Sequence, residues 1–553
     1  GWNLVFNYLK EIMNLKSSIL KINPSDNVAV ALEKLNKGYE VQLDNTTFKL
    51  VDDIDLKHKF ACVDFKPNDA VYMYGVLVGE AIKQIPKGGL LTPENIKHKI
   101  QEVHGKTASW DWTPPQTRKW YDRTFKGYHR PDGQVGTDNI WLFFPLVFCE
   151  NRNIETLKNI FEKEFNPPKK EPLQELLNQL VRGKKSKVFT NQNTSSKPSK
   201  FDNIKVRFLT HQGGCGGTRQ DANSLARLLA GYVNNPNVAG ATVLSLGCQN
   251  LEVKLFKEAL SNLQLENEKP LLIFDQQTEG TVDTFLSKII RNSFEEIKKA
   301  NSLRRKSAPL SKLTIGLECG GSDGLSGITA NPTLGLISDI ISDLGGKSIL
   351  AEFPELAGVE QELVNRCTSE DLGIKFLNLM NEYEKNAEKV GSGFDMNPSP
   401  GNIKDGLITD AMKSAGAAKK SGNAPITDVL NYTEYATKAG VSLLCTPGND
   451  VESTTALAGS GANIILFTTG LGTPTGNPIT PVIKISTNSI LKLRMDDIID
   501  FDCGPIISKK RNLKDVGDEL LELIIAVASG EKTTKAAQLM QHDFIPWKQG
   551  ISL

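Results

Sequence analysis

Aromatic residues, histidine and paired cysteines are all scarce in this sequence. Only 7% of the 553 residues are aromatic and histidine occurs six times, so few imidazole groups are available as bases or metal ligands. The eight cysteines stand singly along the chain, without a C-x-x-C pair. That pattern argues against a disulfide framework and is typical of a protein kept in a reducing compartment, so we predict a cytoplasmic location.

The chain also lacks an excess of charge and a long apolar run. Its net charge is +1, so no face is indicated for nucleic acid or for an acidic membrane surface. No apolar run approaches the ~20 residues of a membrane-spanning helix. Lys10, Glu11 and Lys16 make the first twenty residues a poor signal peptide, and Met13 is the expected start, with residues 1–12 as an upstream extension. We expect neither nucleic acid nor a membrane as a partner.

Glycine, by contrast, is frequent, with 46 residues in a chain too long for one hydrophobic core. Residues 13–96 carry short apolar runs separated by Gly, Asn, Asp and Lys turns, which predicts a small β domain. Residues 97–124 hold three tryptophans without a clear period and form a predicted linker. Strands alternating with helices then predict two α/β domains, over 125–300 and 301–553, with a Pro-, Lys- and Ser-rich insertion at 164–203.

One stretch, residues 318–332, concentrates most of the candidate chemistry. An apolar segment of strand length precedes it and a segment apolar at helical spacing follows it, which predicts a strand, a glycine-rich loop and a helix. The loop offers acid, thiol, hydroxyl and amide groups beside four glycines that let the backbone approach a ligand. An ordinary tight turn needs less polar chemistry than this, so a ligand site is the favoured interpretation.

The same pattern recurs, because several other predicted strands end in glycine and polar residues. The carboxyl ends of parallel strands lie along one edge of a sheet, where ligands bind in open α/β folds. The sequence therefore predicts a ligand crevice at one edge without specifying a reaction. The strand ends are at residues 210–217, 247–250, 275–277, 318–332, 352–355, 445–450 and 468–474.

Several longer strings, taken together, resemble the altronate/galactarate dehydratase family, and the resemblance extends over nearly all of residues 18–553. In the β domain the strings are residues 26–32, 58–61 and 74–81. In the α/β domains they are residues 127–139, 246–250, 318–332, 397–402, 447–450, 466–470 and 484–488.

The resemblance implies a fold and a reaction. The fold is an N-terminal β-clip (SAF-like) domain followed by α/β domains, the last with a Rossmann-like parallel sheet. The reaction is loss of water from a sugar acid, D-altronate giving 2-dehydro-3-deoxy-D-gluconate, with a divalent metal, Fe(II) first and Mn(II) second. The expected partner is thus a small-molecule sugar acid, and the expected assembly is a homodimer.

Three positions depart from the pattern of that family. The run Thr92-Pro-Glu-Asn95 stands where the family often has His-x-His-Asn, and Asp138 and Leu471 stand where it often has Arg. The loss of two histidines affects the expected metal site, for which His58 and Glu94 remain as candidates. The loss of two arginines affects recognition of the carboxylate, and hence the identity of the sugar acid.

Elimination of water beside a carboxylate requires a base for the C2 proton, an acid for the C3 hydroxyl and a group that stabilises the enediolate. The predicted catalytic residues are His58, His211, Cys215, Glu318 and Asp323, and the predicted substrate-binding residues are Arg130, Gln249, Ser322, Asn331, Asn449 and Thr469. Glu352 and Asp450 are further carboxylate candidates. The remaining histidines, His98, His104, His129 and His542, are expected at a solvated surface.

Other interpretations stay open at this point. Cys215, Cys248 and Cys319 all follow predicted strands, and three thiols at one edge suit iron or an iron–sulfur cluster, although none has the short spacing of such ligands. Galactarate or another hydroxy acid is an alternative substrate. A non-catalytic sugar-acid-binding protein and a nucleotide-dependent oxidoreductase are alternative functions; the latter is weakened because no G-x-G-x-x-G is followed by an acid about 20 residues on.

Overall fold

The computed structural model describes residues 18–165, 172–182, 201–263, 269–394, 398–508 and 511–553. The expected start at Met13 and most of the polar insertion lie outside these ranges, as does Asn397 at the head of one family-like string. Within the described ranges, no helix has both the length and the apolar character to span a bilayer.

The N-terminal domain consists of short antiparallel strands, as its turn-rich sequence predicts. Its strands are β1 Ile19–Leu20, β2 Val28–Ala31, β3 Glu40–Leu43, β4 Thr46–Lys49, β5 Lys59–Ala61, β6 Ala70–Met73, β7 Val76–Ala81 and β8 Ile96–Lys97. They form the sheets β1-β2-β5, β3-β4 and β6-β7-β8. The tight turn between β3 and β4 places Asp44 and Asn45 at positive φ, a conformation that short polar side chains tolerate.

The second domain is built on a parallel sheet of four strands. Its strands are β9 Thr124–His129, β10 Val135–Gly136, β11 Ile140–Pro145, β12 Lys205–Phe208, β13 Val238–Ser245 and β14 Leu271–Asp275, and its helices are α1 Asn151–Phe165, α2 Pro172–Val181, α3 Arg219–Asn234, α4 Val253–Leu263, α5 Gln276–Glu279 and α6 Val282–Ala300. The parallel order is β12-β11-β13-β14. Helix α3 begins after Thr218, whose hydroxyl accepts a hydrogen bond from the Asp221 N–H. The apolar run of residues 140–148 predicts a strand over its whole length, but β11 ends at Pro145 and a 3-10 helix occupies Phe148–Glu150.

The C-terminal domain contains the Rossmann-like sheet. Its strands are β15 Lys306–Pro309, β16 Thr314–Cys319, β17 Lys347–Leu350, β18 Ile426–Leu430, β19 Gly440–Leu444, β20 Ile464–Thr469, β21 Val482–Ser486 and β22 Phe501–Asp502, and its helices are α7 Ala330–Asp343, α8 Glu360–Arg366, α9 Glu370–Glu388, α10 Pro400–Lys404, α11 Asp410–Ala418, α12 Asp450–Gly459, α13 Ser489–Arg494, α14 Leu513–Ala528 and α15 Lys535–Gln538. Strand β15 pairs with β9 of the second domain. The other seven strands are parallel, in the order β18-β19-β17-β16-β20-β21-β22. The central strands β16 and β20 are buried along their whole length, as expected for a parallel sheet covered on both faces.

The strand-end loops therefore lie at two edges. Strand β16 lies at the middle of the seven-stranded sheet, and the loops after β16, β17, β19 and β20 leave the same edge because these strands are parallel. The loops at 210–217 and 247–250 leave the four-stranded sheet instead. The single crevice predicted from the strand ends is thus wrong, because the strands belong to two sheets.

Close contacts hold the domains together. The segment 97–124 packs on the C-terminal domain, where the Trp110 indole N–H donates to the carbonyl of Asn423 at 2.8 Å. Helices α3 and α12 meet at Gly231 and Gly459, and a Cβ on Gly231 would overlap the carbonyl oxygen of Gly459. The two helix backbones can approach this closely only because residue 231 has no side chain.

Candidate active site

A cavity of about 590 Å³ opens at the carboxyl edge of the seven-stranded sheet. The loops after β16, β17, β19 and β20 form its walls, together with parts of helices α9 and α11. This is the edge at which parallel α/β sheets bind ligands. The polar side chains in its lining belong to Cys319, Ser322, Glu355, Tyr383, Ser392, Ser399, Asn402, Lys413 and Asp450.

A buried lysine lies behind this wall. Lys420 Nζ is 2.6 Å from Glu352 Oε2 and 2.9 Å from Cys319 Sγ, and the Cys319 N–H donates to the same Glu352 oxygen. Glu318 Oε2 accepts a hydrogen bond from the Ser453 hydroxyl. Glu318 Oε1 is buried and has no hydrogen-bond partner in the described ranges. Four chemically active groups are therefore packed together directly behind the cavity.

The backbone of Glu352 is held in an unusual conformation to reach this cluster. Its φ is +66°, in the left-handed region that non-glycine residues rarely adopt, at a cost of roughly 1–3 kcal/mol. The Glu352 N–H donates to Thr446 Oγ1 at 2.8 Å, and the following N–H, of Phe353, donates to the Thr446 carbonyl at 3.1 Å. The loop after β19 thus holds the loop after β17 and directs the Glu352 carboxylate at Lys420.

These contacts set the protonation states of the cluster. Burial opposes the charge of Lys420, but the neighbouring Cys319 and Glu352 outweigh burial and raise the pKa of the ammonium. Burial, followed by the charge of Glu352, raises the pKa values of the Glu318 carboxyl and of the Cys319 thiol well above their ordinary range. The Lys420 ammonium thus faces Glu352 beside a carboxyl group and a thiol whose protonated forms are favoured by burial.

Asp450 is the cavity group best suited to exchange a proton near neutral pH. It begins helix α12, whose first N–H groups are capped by the Asn449 side chain. Burial raises the pKa of Asp450 to about 7, with the charges of Glu352 and Glu355 as the next largest effects. Gly320 makes room for it, because a Cβ at that position would overlap Asp450 Oδ2. A carboxyl group with this pKa, open to a cavity, fits a general base.

Lys413 is the only cationic side chain among the described residues that line the cavity. Its Nζ lies 2.7 Å from Glu355 Oε1. Burial opposes its charge, but Glu355 outweighs burial and raises the pKa of the ammonium. Helix α11 carries this lysine, and the residue before that helix, Thr409, donates through its hydroxyl to the Val78 carbonyl in β7 at 2.7 Å. A charged lysine therefore faces the cavity on a helix held by the N-terminal domain.

Asp323, predicted as catalytic, ties three parts of the chain together. Its Oδ2 is 2.9 Å from Lys57 Nζ of the N-terminal domain and 3.0 Å from the Thr487 hydroxyl after β21. Its Oδ1 accepts from the Ser326 hydroxyl at 3.1 Å. The carboxylate is fully buried and does not line the cavity. These contacts hold the glycine-rich loop of residues 318–332 in place, and a catalytic role for Asp323 stays a prediction.

Three consecutive residues of the N-terminal domain contact the segment beside the cavity. The contacts are Lys57 Nζ with Asp405 Oδ2 at 3.0 Å, His58 Nε2 with the Lys404 carbonyl at 3.1 Å, and Lys59 Nζ with the Gly406 carbonyl. Lys59 is fully buried, and burial lowers its pKa to about 7. The same segment carries Asn402, which lines the cavity and donates to the Ser322 carbonyl at 2.7 Å. Docking of the N-terminal domain therefore supports one wall of the cavity.

The metal ligands expected at His58 and Glu94 do not form a complete site. The His58 ring is hydrogen-bonded to backbone, and Glu94 lies exposed in a turn where its N–H donates to Thr92 Oγ1. Across the described ranges, no group of three His, Cys, Asp or Glu side chains is arranged to hold a metal ion. The described residues therefore do not fit a divalent metal held by protein ligands alone.

His211 and Cys215 lie at the other edge, in a second cavity of about 960 Å³. His211 is buried, its Nε2 is 2.7 Å from the Pro145 carbonyl and its Nδ1 accepts from the Gly213 N–H at 3.1 Å. Burial lowers the pKa of this imidazole to about 4. With both nitrogens bonded to backbone, His211 shapes the loop of residues 210–217, and its role as acid or base stays a prediction.

The predicted grouping of three cysteines is also wrong. Cys215 and Cys248 are exposed and follow strands of the four-stranded sheet, whereas Cys319 is buried at the end of β16. Cys215 therefore cannot act together with Glu318 or Cys319 at one site.

Of the six predicted substrate-binding residues, only Ser322 lines the cavity at the seven-stranded sheet. The other five use their side chains to hold loops: four are buried polar groups, which require partners, and Asn449 is exposed and caps helix α12. Their bonds are Arg130 to the Pro236 carbonyl, Gln249 to Ser245 and Gly247, Asn331 to Thr468 and Gly416, Asn449 to the N–H groups of Val451 and Glu452, and Thr469 to the Gly472 N–H.

Two residues of the site, Lys413 and Lys420, carry no strand-end pattern and escape prediction from sequence. Glu355 lies in the predicted strand end at 352–355 but was not singled out there. The two lysines lie within residues 411–421, a run of small residues in which lysine supplies every charge. Such a run indicates a helix packed too closely for large side chains, so a lysine inside it is a signal of a buried and paired charge.

Three family models match the chain in succession. The altronate/galactarate dehydratase SAF domain matches residues 17–99, and the second domain of D-galactarate dehydratase/altronate hydrolase matches residues 127–301. The C-terminal domain of D-galactarate/altronate dehydratase matches residues 310–552. The last of these contains every residue that lines the cavity at the seven-stranded sheet.

Similar proteins extend over nearly the whole chain. Altronate dehydratase of Bacillus subtilis (strain 168) is 34% identical over 96% of this chain and 98% of its own length. Altronate dehydratase of Escherichia coli (strain K12) is 33% identical over 97% and 99%. Galactarate dehydratase (L-threo-forming) of Escherichia coli (strain K12) is 28% identical over 95% of each chain.

Proposed function

The chain belongs to the D-galactarate/altronate dehydratase family, and from that premise we propose that it dehydrates D-altronate to 2-dehydro-3-deoxy-D-gluconate. As a member of that family, the chain is a hydro-lyase that dehydrates a sugar acid. D-Altronate is the substrate we favour because two relatives with that activity in their names are similar over nearly their full length.

The observation that carries the proposal is the position and pKa of Asp450. With a pKa of about 7, a large fraction of this carboxyl is ionised at neutral pH and can accept the C2 proton of a bound sugar acid. Once protonated, it can pass a proton to the departing C3 hydroxyl, which leaves as water. The enol that remains then tautomerises to the 2-oxo acid.

Lys413 is the group we assign to the substrate carboxylate. Removal of the C2 proton delocalises negative charge onto that carboxylate, and an ammonium inside a partly closed cavity offsets such charge far better than water does. Because the described lining offers one cation, it suits an acid with one carboxylate better than an acid with two. Galactarate, which has two, is the second candidate because a galactarate dehydratase is among the relatives.

The test is a substrate panel with wild-type protein and an Asp450→Asn variant. We expect formation of a 2-oxo-3-deoxy acid from D-altronate, followed colorimetrically, and a fall in kcat of roughly 10²-fold or more in the variant. Asp497→Asn, which removes an exposed carboxyl outside the cavity, serves as the matched control and should retain wild-type kcat. Turnover of galactarate alone would reassign the substrate, and an inert panel would reject the reaction.

We also propose that a divalent cation takes part, Fe(II) before Mn(II), although we assign no step to it because the described residues do not complete a site. Metal analysis of anaerobically purified protein, then chelation and add-back of each ion, tests this. Full activity in chelator, with far less than one metal per chain, would reject it. A homodimer and a cytoplasmic location stay predictions, to be measured by light scattering and cell fractionation.

A further inference from the structure

A third cavity, of about 280 Å³, lies where the second domain meets the C-terminal domain. Its walls are the start of β12, the segment 477–482 that leads into β21, and the turn between α14 and α15. Val482 is the first residue of β21, so this cavity lies at the amino edge of the seven-stranded sheet. The candidate active site lies at the carboxyl edge, so the third cavity is not part of the proposed reaction.

Positive charge outweighs negative charge around this third cavity. Its described lining contains the cations Lys205, Arg207, Arg305 and Lys532 and the acids Asp138 and Asp202. Lys205 Nζ lies 2.6 Å from Asp138 Oδ2, so these two charges offset each other. Arg305 donates to three backbone carbonyls and packs on the Tyr128 ring at 4.7 Å, so most of its five donors are occupied.

Arg207 is different, because its guanidinium has no anion at contact distance. In the part of the chain that the structure describes, it makes one hydrogen bond, from Nη1 to the Val206 carbonyl at 3.0 Å, and no ion pair. Burial lowers its pKa, and the more distant carboxylates of Asp138 and Glu162 offset that effect only in part. A guanidinium has five N–H donors, so most of those of Arg207 are available to a ligand.

Two other polar atoms in the lining lack partners. His542 Nε2 and Gln541 Oε1 are buried, and neither forms a hydrogen bond with any described residue. His542 is therefore not the solvated surface residue expected from its polar neighbours in the sequence. Burial lowers the pKa of its ring to about 3, and the positive charges of Arg207, Lys158 and Lys205 act in the same direction. Buried polar atoms are almost always hydrogen-bonded, so the His542 nitrogen indicates a place for a ligand that accepts a hydrogen bond, whereas the Gln541 oxygen can only accept one itself.

We propose that this cavity binds a small oxyanion, a carboxylate or a phosphate, through Arg207 and His542. The planar guanidinium can donate two parallel hydrogen bonds to two oxygens of either group. The neutral imidazole adds one donor. A volume of about 280 Å³ accommodates a phosphate ion or a short carboxylic acid but lies below the ~300–1,000 Å³ of pockets for larger ligands. Because both domains form the walls, a bound anion connects them and raises the melting temperature.

The test titrates full-length protein with sodium phosphate and, separately, with sodium malonate, at constant ionic strength held with chloride. Heat of binding and melting temperature are recorded, and the two titrations separate the two sources of oxyanion. We expect saturable binding of at least one anion with a rise in melting temperature. Arg207→Met should weaken that binding at least tenfold, whereas Arg291→Met, which removes an exposed charge on α6, should leave it unchanged.

Asp138→Asn should change the affinity for the anion in the opposite direction. Removing that carboxylate releases Lys205 and takes a negative charge away from the anion, so affinity should rise severalfold. The proposal is overturned if neither anion saturates the wild-type protein, or if Arg207→Met binds as tightly as wild type. Should Arg207→Met fail to fold, unchanged or weaker binding by Asp138→Asn overturns it instead.

Discussion

Replacing Lys420 with methionine tests whether the ion pair behind the cavity stabilises the C-terminal domain. Lys420 and Glu352 are each 1% exposed, with Nζ and Oε2 2.6 Å apart. Methionine fills much of the same space but leaves the Glu352 carboxylate buried without its counter-ion. Removing one partner of such a pair typically destabilises a fold by about 3–5 kcal/mol. The exposed pair of Lys34 and Asp55, 3.6 Å apart, is the matched comparison, for which the expected loss is about 0–1 kcal/mol.

The assay compares wild type, Lys420→Met, Glu352→Gln, the double variant and Lys34→Met by scanning calorimetry and urea unfolding. A chain of several domains need not unfold in one step, so the comparison uses the transition assigned to the C-terminal domain. It is made between variants whose free energy of unfolding depends equally steeply on urea concentration. The double variant leaves neither charge, so it should recover a large part of the loss seen in Lys420→Met. The expected coupling between the two positions is about 2–3 kcal/mol.

Two results would refute this reasoning. One is a loss in Lys420→Met no larger than the loss in Lys34→Met. The other is a double variant whose instability equals the sum of the two single changes, since additivity means that the two side chains do not stabilise each other.

The remaining predictions concern the cavity, the domain contact and the thiols. Because a base acts when deprotonated, wild-type kcat should rise as pH increases through about 7, and this limb should be missing from the residual activity of Asp450→Asn. Gly320→Ala should lower kcat at least tenfold and also lower the melting temperature, since the methyl group meets both Asp450 and the buried ring of Phe467; Gly217→Ala, with no atom within 4 Å of the new Cβ, should change neither. Lys59→Met should weaken the contact between the N-terminal domain and residues 404–406 by about 1–3 kcal/mol, so that amide hydrogen exchange over those residues becomes faster. Unchanged exchange would mean that this contact is dispensable. Thiol reagent should titrate the three exposed cysteines in native protein and eight after unfolding, and a lower final count would reject the prediction of free thiols; the three are Cys149, Cys215 and Cys248.

The sequence predicts the sheet well because strand burial is a local property. The apolar run before residue 318 becomes β16, and the sequence also predicts a helix over residues 282–300, which has the bounds Val282–Ala300 in the structure. Thr218 and Asp221 likewise identify the start of α3, because capping depends on residues three apart. The division of the strands between two sheets was not predictable in this way, because it depends on pairing between distant segments.

The contents of the site were harder to predict for the same reason. A polar side chain at a strand end can face a ligand or bond its own loop, and Asn331 and Asn449 do the latter. Glu318 was identified by its position on β16, but its neighbour Lys420 lies about a hundred residues away and is brought close only by the folded chain. The family-like strings mark loops that must keep their shape, and they do not separate the residues that shape a loop from those that face the cavity.

The contact between helices α3 and α12 constrains how this sequence can diverge. A side chain on residue 231 would meet the backbone of α12, which cannot move aside without shifting Asp450 at the other end of that helix. A side chain on residue 459 would meet Leu228, whose side chain can rotate. Although both positions hold glycine, only the first is closed to substitution by a single mutational step. Saturation mutagenesis should therefore return glycine alone at 231 and several small residues at 459, because a new side chain meets backbone at the first position and only a side chain at the second.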